Sequence, residues 1–238
     1  MITGIVVALP EELSTLTSKK LAKGEFLKLN DKLIVAYSGA GAVNASTASQ
    51  LLVENGVTRL VSWGCAGALS SSLKPGDLVL ADKLKDADGN FVDDFCELSS
   101  SQEVIKHYLP KNVKVYKGTL IESREIVSLS IIKRQLNTFT GAIAVDMESI
   151  AIAKIAKHHQ LSFLAIRVIV DPVSMNLPQA ISQSLNAQGV VEMPRLLSFI
   201  ARHPYEIPSL IVLGRHFNMA KKTLKALATQ LDYVIAYV

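Results

Sequence analysis

The stretch spanning residues 141–178 constrains the fold more than any other part of the chain. It reads GAIAVDMESIAIAKIAKHHQLSFLAIRVIVDPVSMNLP. Residues 142–145 are a short apolar run of the kind that forms a buried strand. Residues 149–159 carry a helical pattern, with Ile150, Ala153, Ile155 and Ala156 at the apolar positions. Residues 161–170 are a second strand, rich in β-branched side chains, which Pro172 stops. Strand, helix, strand predicts a βαβ unit with a right-handed crossover and parallel strands. Ligands of such sheets bind beyond the carboxyl ends of the strands. Asp146-Met147-Glu148 and Asp171 stand at those ends. Arg167 lies four residues before Asp171, so strand alternation puts both on one face. Two carboxylates, Glu148 and Asp171, and one arginine at a single rim predict an acid–base site.

The 238 residues suffice for one large α/β domain or two small ones, and no Pro-, Gly- or Ser-rich linker divides them. We expect one domain over residues 1–238, with about 180–238 as a C-terminal helical extension. An apolar fraction of 49% and a mean hydropathy of +0.30 imply a large core. Alternating helix and strand signals predict an α/β fold. Its expected form is three-layer αβα, around a twisted, mostly parallel, mixed central sheet.

The formal charge is +4, and the excess collects beyond Pro194, in Arg195, Arg202, Arg215, Lys221, Lys222 and Lys225. A solvated helix face accounts for such a run, and weak association with a membrane surface is the alternative. No aromatic-interleaved basic patch is present, so no nucleic-acid partner is expected. Cys65 and Cys96 have neither metal-ligand spacing nor a disulfide framework. We expect reduced thiols, no metal, and a cytoplasmic protein. The opening MITGIVVALPEE lacks a basic region and a small-residue cleavage site and reads as a first strand.

Residues 3–9 are that strand. Pro10 suits the first helical position, and Glu11 and Glu12 suit the first turn. Helix-start chemistry accounts for one of these glutamates; the other can face a site. Residues 26–29 and 33–38 predict a strand pair turning at Asn30-Asp31. Gly39-Ala40-Gly41-Ala42-Val43-Asn44 opens a helix over about 45–54. It lacks the third glycine and the later acidic residue of a dinucleotide fingerprint, which disfavours an oxidoreductase. Residues 59–63 are a strand leading into Gly64-Cys65-Ala66-Gly67-Ala68-Leu69. That segment is either a ligand-approaching backbone or a glycine-rich turn with positive φ. Lys74-Pro75-Gly76-Asp77 is a turn before the strand 78–81. Residues 86–94 form an acidic loop with Phe91 and Phe95 as apolar tips, and residues 114–121 are a further strand. Arg124-Glu125-Ile126-Val127 begins the next helix, with Lys133 and Arg134 on its outer face. Residues 180–200 and 218–231 are closing helices, the first broken by Pro194.

Taken together, these segments resemble the purine nucleoside phosphorylase and nucleosidase superfamily. They are most similar to methylthioadenosine/S-adenosylhomocysteine nucleosidases and to hopanoid-associated relatives. The resemblance runs from Gly4 to about Asp171. Its first carriers are Gly4-Ile5-Val6-Val7-Ala8 with Glu11-Glu12, and Ser38-Gly39-Ala40-Gly41. Gly64-Cys65-Ala66-Gly67-Ala68 with Pro75-Gly76-Asp77 follows. Ala144-Val145-Asp146-Met147-Glu148 and Ile166-Arg167-Val168-Ile169-Val170-Asp171 complete the set.

The resemblance implies cleavage of the bond between ribose C1′ and a purine nitrogen, through an oxocarbenium-like transition state. By the same resemblance Asp171 is the general acid at purine N7, and Glu12 positions the attacking water. Glu148, with Met147 beside it, grips the ribose, and Arg167 orients the carboxylates. Cys65, Ala66, Gly67, Ile126 and Val127 are expected around the substrate, and Phe91 and Phe95 around its 5′ end. The resemblance further implies no cofactor, phosphate apart if the reaction is phosphorolytic, and a homo-oligomer.

Phosphorylases of the superfamily place arginine where this chain has Ser62, which favours hydrolysis. Cys65 replaces a usual serine, Val170 replaces the serine before the acid, and no base-stacking phenylalanine is evident. Asn176-Leu177-Pro178 resembles the hopanoid-associated group and implies a bulky apolar 5′ group, as on adenosylhopane. A phosphorylase, a methylthioadenosine/S-adenosylhomocysteine nucleosidase and a non-catalytic nucleoside-binding protein are the alternatives. Singly, Glu148 also reads as a helix cap and Asp171 as a turn aspartate.

Overall fold

The computed structural model describes residues 1–92, 109–111, 113–184, 186 and 191–231. Among these residues nine strands belong to one mixed sheet: β1 Thr3–Val7, β2 Phe26–Lys28, β3 Leu33–Tyr37, β4 Arg59–Ala68, β5 Leu78–Lys85, β6 Phe91–Val92, β7 Val115–Glu122, β8 Ala144–Asp146 and β9 Ser162–Asp171. The helices are α1 Pro10–Leu13, α2 Ala42–Glu54, α3 Ser130–Thr140, α4 Ser149–His158, α5 Gln179–Ser182, α6 Met193–Arg202 and α7 Ile207–Ala228. Among the described residues no helix is long and apolar enough to cross a membrane.

Period-2 alternation builds the layers. Ile5, Val7, Leu164, Ile166, Val168 and Val170 turn to one face, where Leu13 of α1 and Ala220, Leu224 and Leu227 of α7 cover them. Val6, Phe163, Ala165 and Ile169 turn to the other, against Ala45, Ala48 and Leu52 of α2 and Ile152, Ala153 and Ala156 of α4. Both faces are thus dry, which is why the strands are almost wholly apolar. The three-layer αβα architecture expected from the sequence is the one observed.

β4 is the centre of the sheet. It pairs in parallel with β1 and β9 and antiparallel with β8. β9 also pairs antiparallel with β5, β5 in parallel with β7, and β7 in parallel with β8. The strands β4, β9, β5, β7 and β8 therefore close on themselves as a small barrel beside the open part of the sheet. A register shift between Ala66 and Gly67 lets the end of β4 turn from one set of partners to the other.

Four expectations need correction. First, β8 and β9 flank β4 rather than pairing with each other, and they run in opposite senses against it. The expected parallel βαβ unit is not formed, because β8 is captured by the barrel. Second, Gly64-Cys65-Ala66-Gly67-Ala68 continues β4 instead of turning, and neither Gly64 nor Gly67 has positive φ. Third, the helix expected at Arg124 starts at Ser130, whose N–H donates to Asn176 Oδ1 at 2.7 Å. Fourth, residues 180–200 are not one helix. α5 ends at Ser182, Pro194 sits in the first turn of α6 rather than breaking it, and Pro208 starts the long α7. Proline at a helix start loses no hydrogen bond and is pre-set for the helical φ, so both prolines begin helices.

Candidate active site

α1 follows β1 immediately. Its Glu11 is exposed and its Glu12 buried, so the two glutamates divide the roles the sequence left open. Glu12 Oε2 accepts from the backbone N–H of Ala8 and of Leu9, each at 3.0 Å, and so caps the short helix. Oε1 crosses to β4 and accepts from Cys65 N–H at 2.8 Å. A carboxylate offers about four lone-pair positions, so roughly one stays available after three backbone bonds. Burial pushes the Glu12 carboxyl above its ordinary range, against the pull of Arg167 and of these N–H groups.

Gly64 explains its own identity here. A Cβ at that position would lie 2.4 Å from Glu12 Oε1 and 2.5 Å from Arg167 Nη1. A Cβ at Gly67 would lie 3.1 Å from Asp171 Oδ2. The glycines are needed for close approach of carboxylates and guanidinium, not for turning.

Arg167 is buried on β9 opposite Gly64. Its Nε faces Asp146 Oδ2 at 2.7 Å and donates to Ser149 Oγ at 3.2 Å, and its Nη2 donates to Ser62 Oγ at 2.6 Å. Nη2 also lies 3.7 Å from Glu148 Oε2. Ser62 is thus occupied inside this buried network. Asp146, not Glu148, receives the N–H of Ser149 at the start of α4, at 3.3 and 3.4 Å. Glu148 makes no side-chain cap. Its Oε1 instead accepts from Gly41 N–H at 2.9 Å, at the start of α2. Burial, partly offset by Arg167, raises the Glu148 carboxyl from 4.5 to about 7.

Asp171 ends β9, so it is a strand residue rather than a turn aspartate. Arg167 does not hold it, contrary to expectation. Its cation is Lys133 of α3, whose Nζ donates to Asp171 Oδ2 and to Met175 O at 2.9 Å. Lys133, expected on the outer face, is fully buried, whereas Arg134 is exposed. Burial raises the Asp171 carboxyl above its usual value, and Lys133 opposes the rise. The Cys65 thiol, half-buried beside this cluster, is pushed well above its ordinary range by burial and by Glu12.

The structure therefore brings Glu12, Glu148, Arg167, Cys65 and Gly67 together about β4, with Asp171 beside Gly67 and Ala66 buried between. A cavity of about 470 Å³ opens next to this cluster, lined by Met147, Gly41, Asn44, Lys23, Ser123 and Arg124 among others. Of the expected substrate residues only Met147 lines it. Ile126 is 37% exposed, and Val127 packs against Leu69, Ile121 and Val145. Phe91 is 60% exposed, under the Lys85 ammonium 4.4 Å from its ring centre, and it does not line the cavity. Phe95 lies outside the described residues.

Sequence reasoning missed Lys133 and the work of Asp146, Ser149 and Ser62. Asp146 stands three residues before Ser149, a spacing at which an aspartate can accept a local backbone N–H, and that could have separated Asp146 from Glu148. Nothing in the sequence marks Lys133.

The model of the phosphorylase superfamily matches residues 3–189. The chain is 31% identical to the 5′-methylthioadenosine/S-adenosylhomocysteine nucleosidase of Buchnera aphidicola, over 66% of this chain and 74% of that one. It is 29% identical to the nucleosidase of the same name from Staphylococcus haemolyticus, over 71% and 85%. The fold is also that of the Helicobacter pylori methylthioadenosine nucleosidase (TM-score 0.71, 17% identity, 100% and 99% coverage) and of its futalosine hydrolase (TM-score 0.69, 17% identity, 99% and 97% coverage). The chain is an enzyme that belongs to the phosphorylase superfamily, with methylthioadenosine/S-adenosylhomocysteine nucleosidases among its near relatives.

Proposed function

We propose that the chain cleaves the bond between ribose C1′ and the purine nitrogen of an adenosine-type nucleoside, with water as the attacking group. The observation that carries this reading is the gathering of three buried carboxylates, Glu12, Glu148 and Asp171, around the Gly64–Gly67 segment of one strand. The named activities of the relatives lend it support.

In this reading the C1′–N bond breaks first, and its electron pair moves into the base. Asp171, protonated before the reaction, gives its proton to N7 and so makes the base a neutral leaving group. Glu148, released from capping by Asp146, receives the ribose hydroxyls and sets negative charge near the cationic sugar. Water then bonds to C1′, and Glu12 takes its proton on the lone pair that the backbone leaves free. Arg167 holds Glu148 and stands beside Glu12 at Gly64. With Ser62 buried in the arginine network, no anion cradle is formed at that position, which favours water over phosphate.

The cavity beyond Met147 receives the 5′ group in this reading. A bulky apolar 5′ group, as on adenosylhopane, is the finer form of the proposal. It is supported by the Asn176-Leu177-Pro178 resemblance. The test is base release from methylthioadenosine and from a 5′-lipophilic adenosine, each with and without phosphate, with the sugar product identified. Free ribose derivative in both buffers supports hydrolysis, and a sugar 1-phosphate formed only with phosphate would replace it by phosphorolysis. A higher kcat/KM for the lipophilic substrate supports the bulky 5′ group, and a strong preference for methylthioadenosine removes it.

A further inference from the structure

The burial pattern of α3 is inverted. Its one buried residue is Lys133, while Ile131 is 57% and Phe139 is 82% exposed. Placing an ammonium rather than an apolar side chain at that position is not explained by stability. A buried ion pair is commonly no more stabilising than a well-packed apolar replacement. The ammonium is instead fully committed: its acceptors are Asp171 Oδ2, Met175 O at 2.9 Å and Pro172 O at 3.5 Å. The two carbonyls belong to the turn directly after β9, in which Met175 N–H donates to Pro172 O. One side chain thus ties the acidic residue to the backbone that follows it.

We propose that Lys133 is the positioning residue of the general acid: it fixes Asp171 through Oδ2 and stabilises the carboxylate left after the proton has gone to the base. This rests on the reading of Asp171 as the proton donor. Burial alone would make Asp171 a weak acid, always protonated but slow to give its proton up. The Lys133 charge moves in the opposite direction and strengthens it. The other ionisable groups nearby are Cys65 on β4, whose thiol is held neutral by burial, and farther along Glu12 of α1 and Arg167 of β9. Among the described residues only Lys133 forms an ion pair with Asp171.

The experiment is the pH profile of kcat/KM for base release by wild type, Lys133→Met and Lys133→Arg, beside a carbon-13 titration of the Asp171 carboxyl. An opposite charge at contact shifts a carboxyl by roughly one to three pH units. The expected result for Lys133→Met is an alkaline limb displaced upward by at least about one pH unit and a plateau rate reduced roughly tenfold or more. Lys133→Arg, which keeps the charge, should keep the limb near its wild-type position. Lys133→Gln, with a hydrogen bond and no charge, gives the same comparison should the methionine variant not fold. A lower rate with the limb unmoved, and an unmoved carbon-13 titration, would overturn the proposal and leave Lys133 as packing. Wild type that releases no base would instead remove the nucleosidase reading, and the titration alone would then decide whether Lys133 governs Asp171.

Discussion

At the scale of single residues, the site is a matter of which carboxylate is left free. Asp146 and Glu148 are two residues apart at one helix start, and only one can cap it. Asp146 takes Ser149 N–H, so Glu148 faces Gly41 and Arg167. Keeping Glu148 buried has a consequence for stability. Its carboxyl is raised from 4.5 to about 7 in the folded protein. Between those values the folded protein holds a proton that the unfolded chain has lost, so stability falls as pH rises through this window. Below it the penalty is absent, and above it the penalty is complete. Glu148→Gln is therefore expected to raise Tm relative to wild type at about pH 8, with the difference shrinking towards about pH 5. Thermal unfolding at the two pH values measures this, and a difference that stays constant or grows on acidification would contradict it. Glu12, Glu148, Arg167 and Asp171 could be proposed from the sequence because each stands in or just past a strand, where side chains of α/β sheets meet ligands. Lys133 was not legible, because a lysine in a helix reads as an outer-face residue. Its burial depends on Asp171, 38 positions away along the chain.

At the scale of elements, β4 and α7 account for most of what the sequence did and did not reveal. The small residues at the end of β4 read equally as a turn and as a ligand-approaching backbone, because glycine there is ambiguous between bending and close approach. Only the placement of Glu12, Arg167 and Asp171 resolves it. The pairing of β8 was illegible for a different reason. Three residues carry no information on direction, and their partner is fixed by a register shift in β4. α7 was legible only in its second half, where Ala220, Leu224 and Leu227 supply an apolar stripe. Its first half leaves Ile207, Ile211 and Val212 exposed, so it lacked the periodicity that marks a core helix. Leu224 is wholly buried against the β9 face of the sheet. Leu224→Ala is expected to destabilise the protein by about 2–5 kcal/mol, read from the denaturant midpoint. A loss under about 0.5 kcal/mol, the range of an ordinary surface substitution, would show that α7 is not part of the core.

At the scale of the whole molecule, we read the chain as one unit in which the C-terminal helices complete the core rather than form a separate body. The open part of the sheet runs from its edge strand β2 through β3 and β1 to β4, and the other part closes into a barrel. The proposed site lies where the two parts share β4 and β9. That placement sets carboxylates from α1, from the β8–α4 junction and from the end of β9 around one strand, and it makes the central claim testable at one atom. The most direct measurement compares single-turnover release of adenine from methylthioadenosine by wild type and by Asp171→Asn, with substrate affinity measured in parallel. The account predicts a rate lowered by about 10² to 10⁴-fold, the usual worth of a general acid, with affinity nearly unchanged. Adenine release by Asp171→Asn within a few-fold of wild type would contradict it.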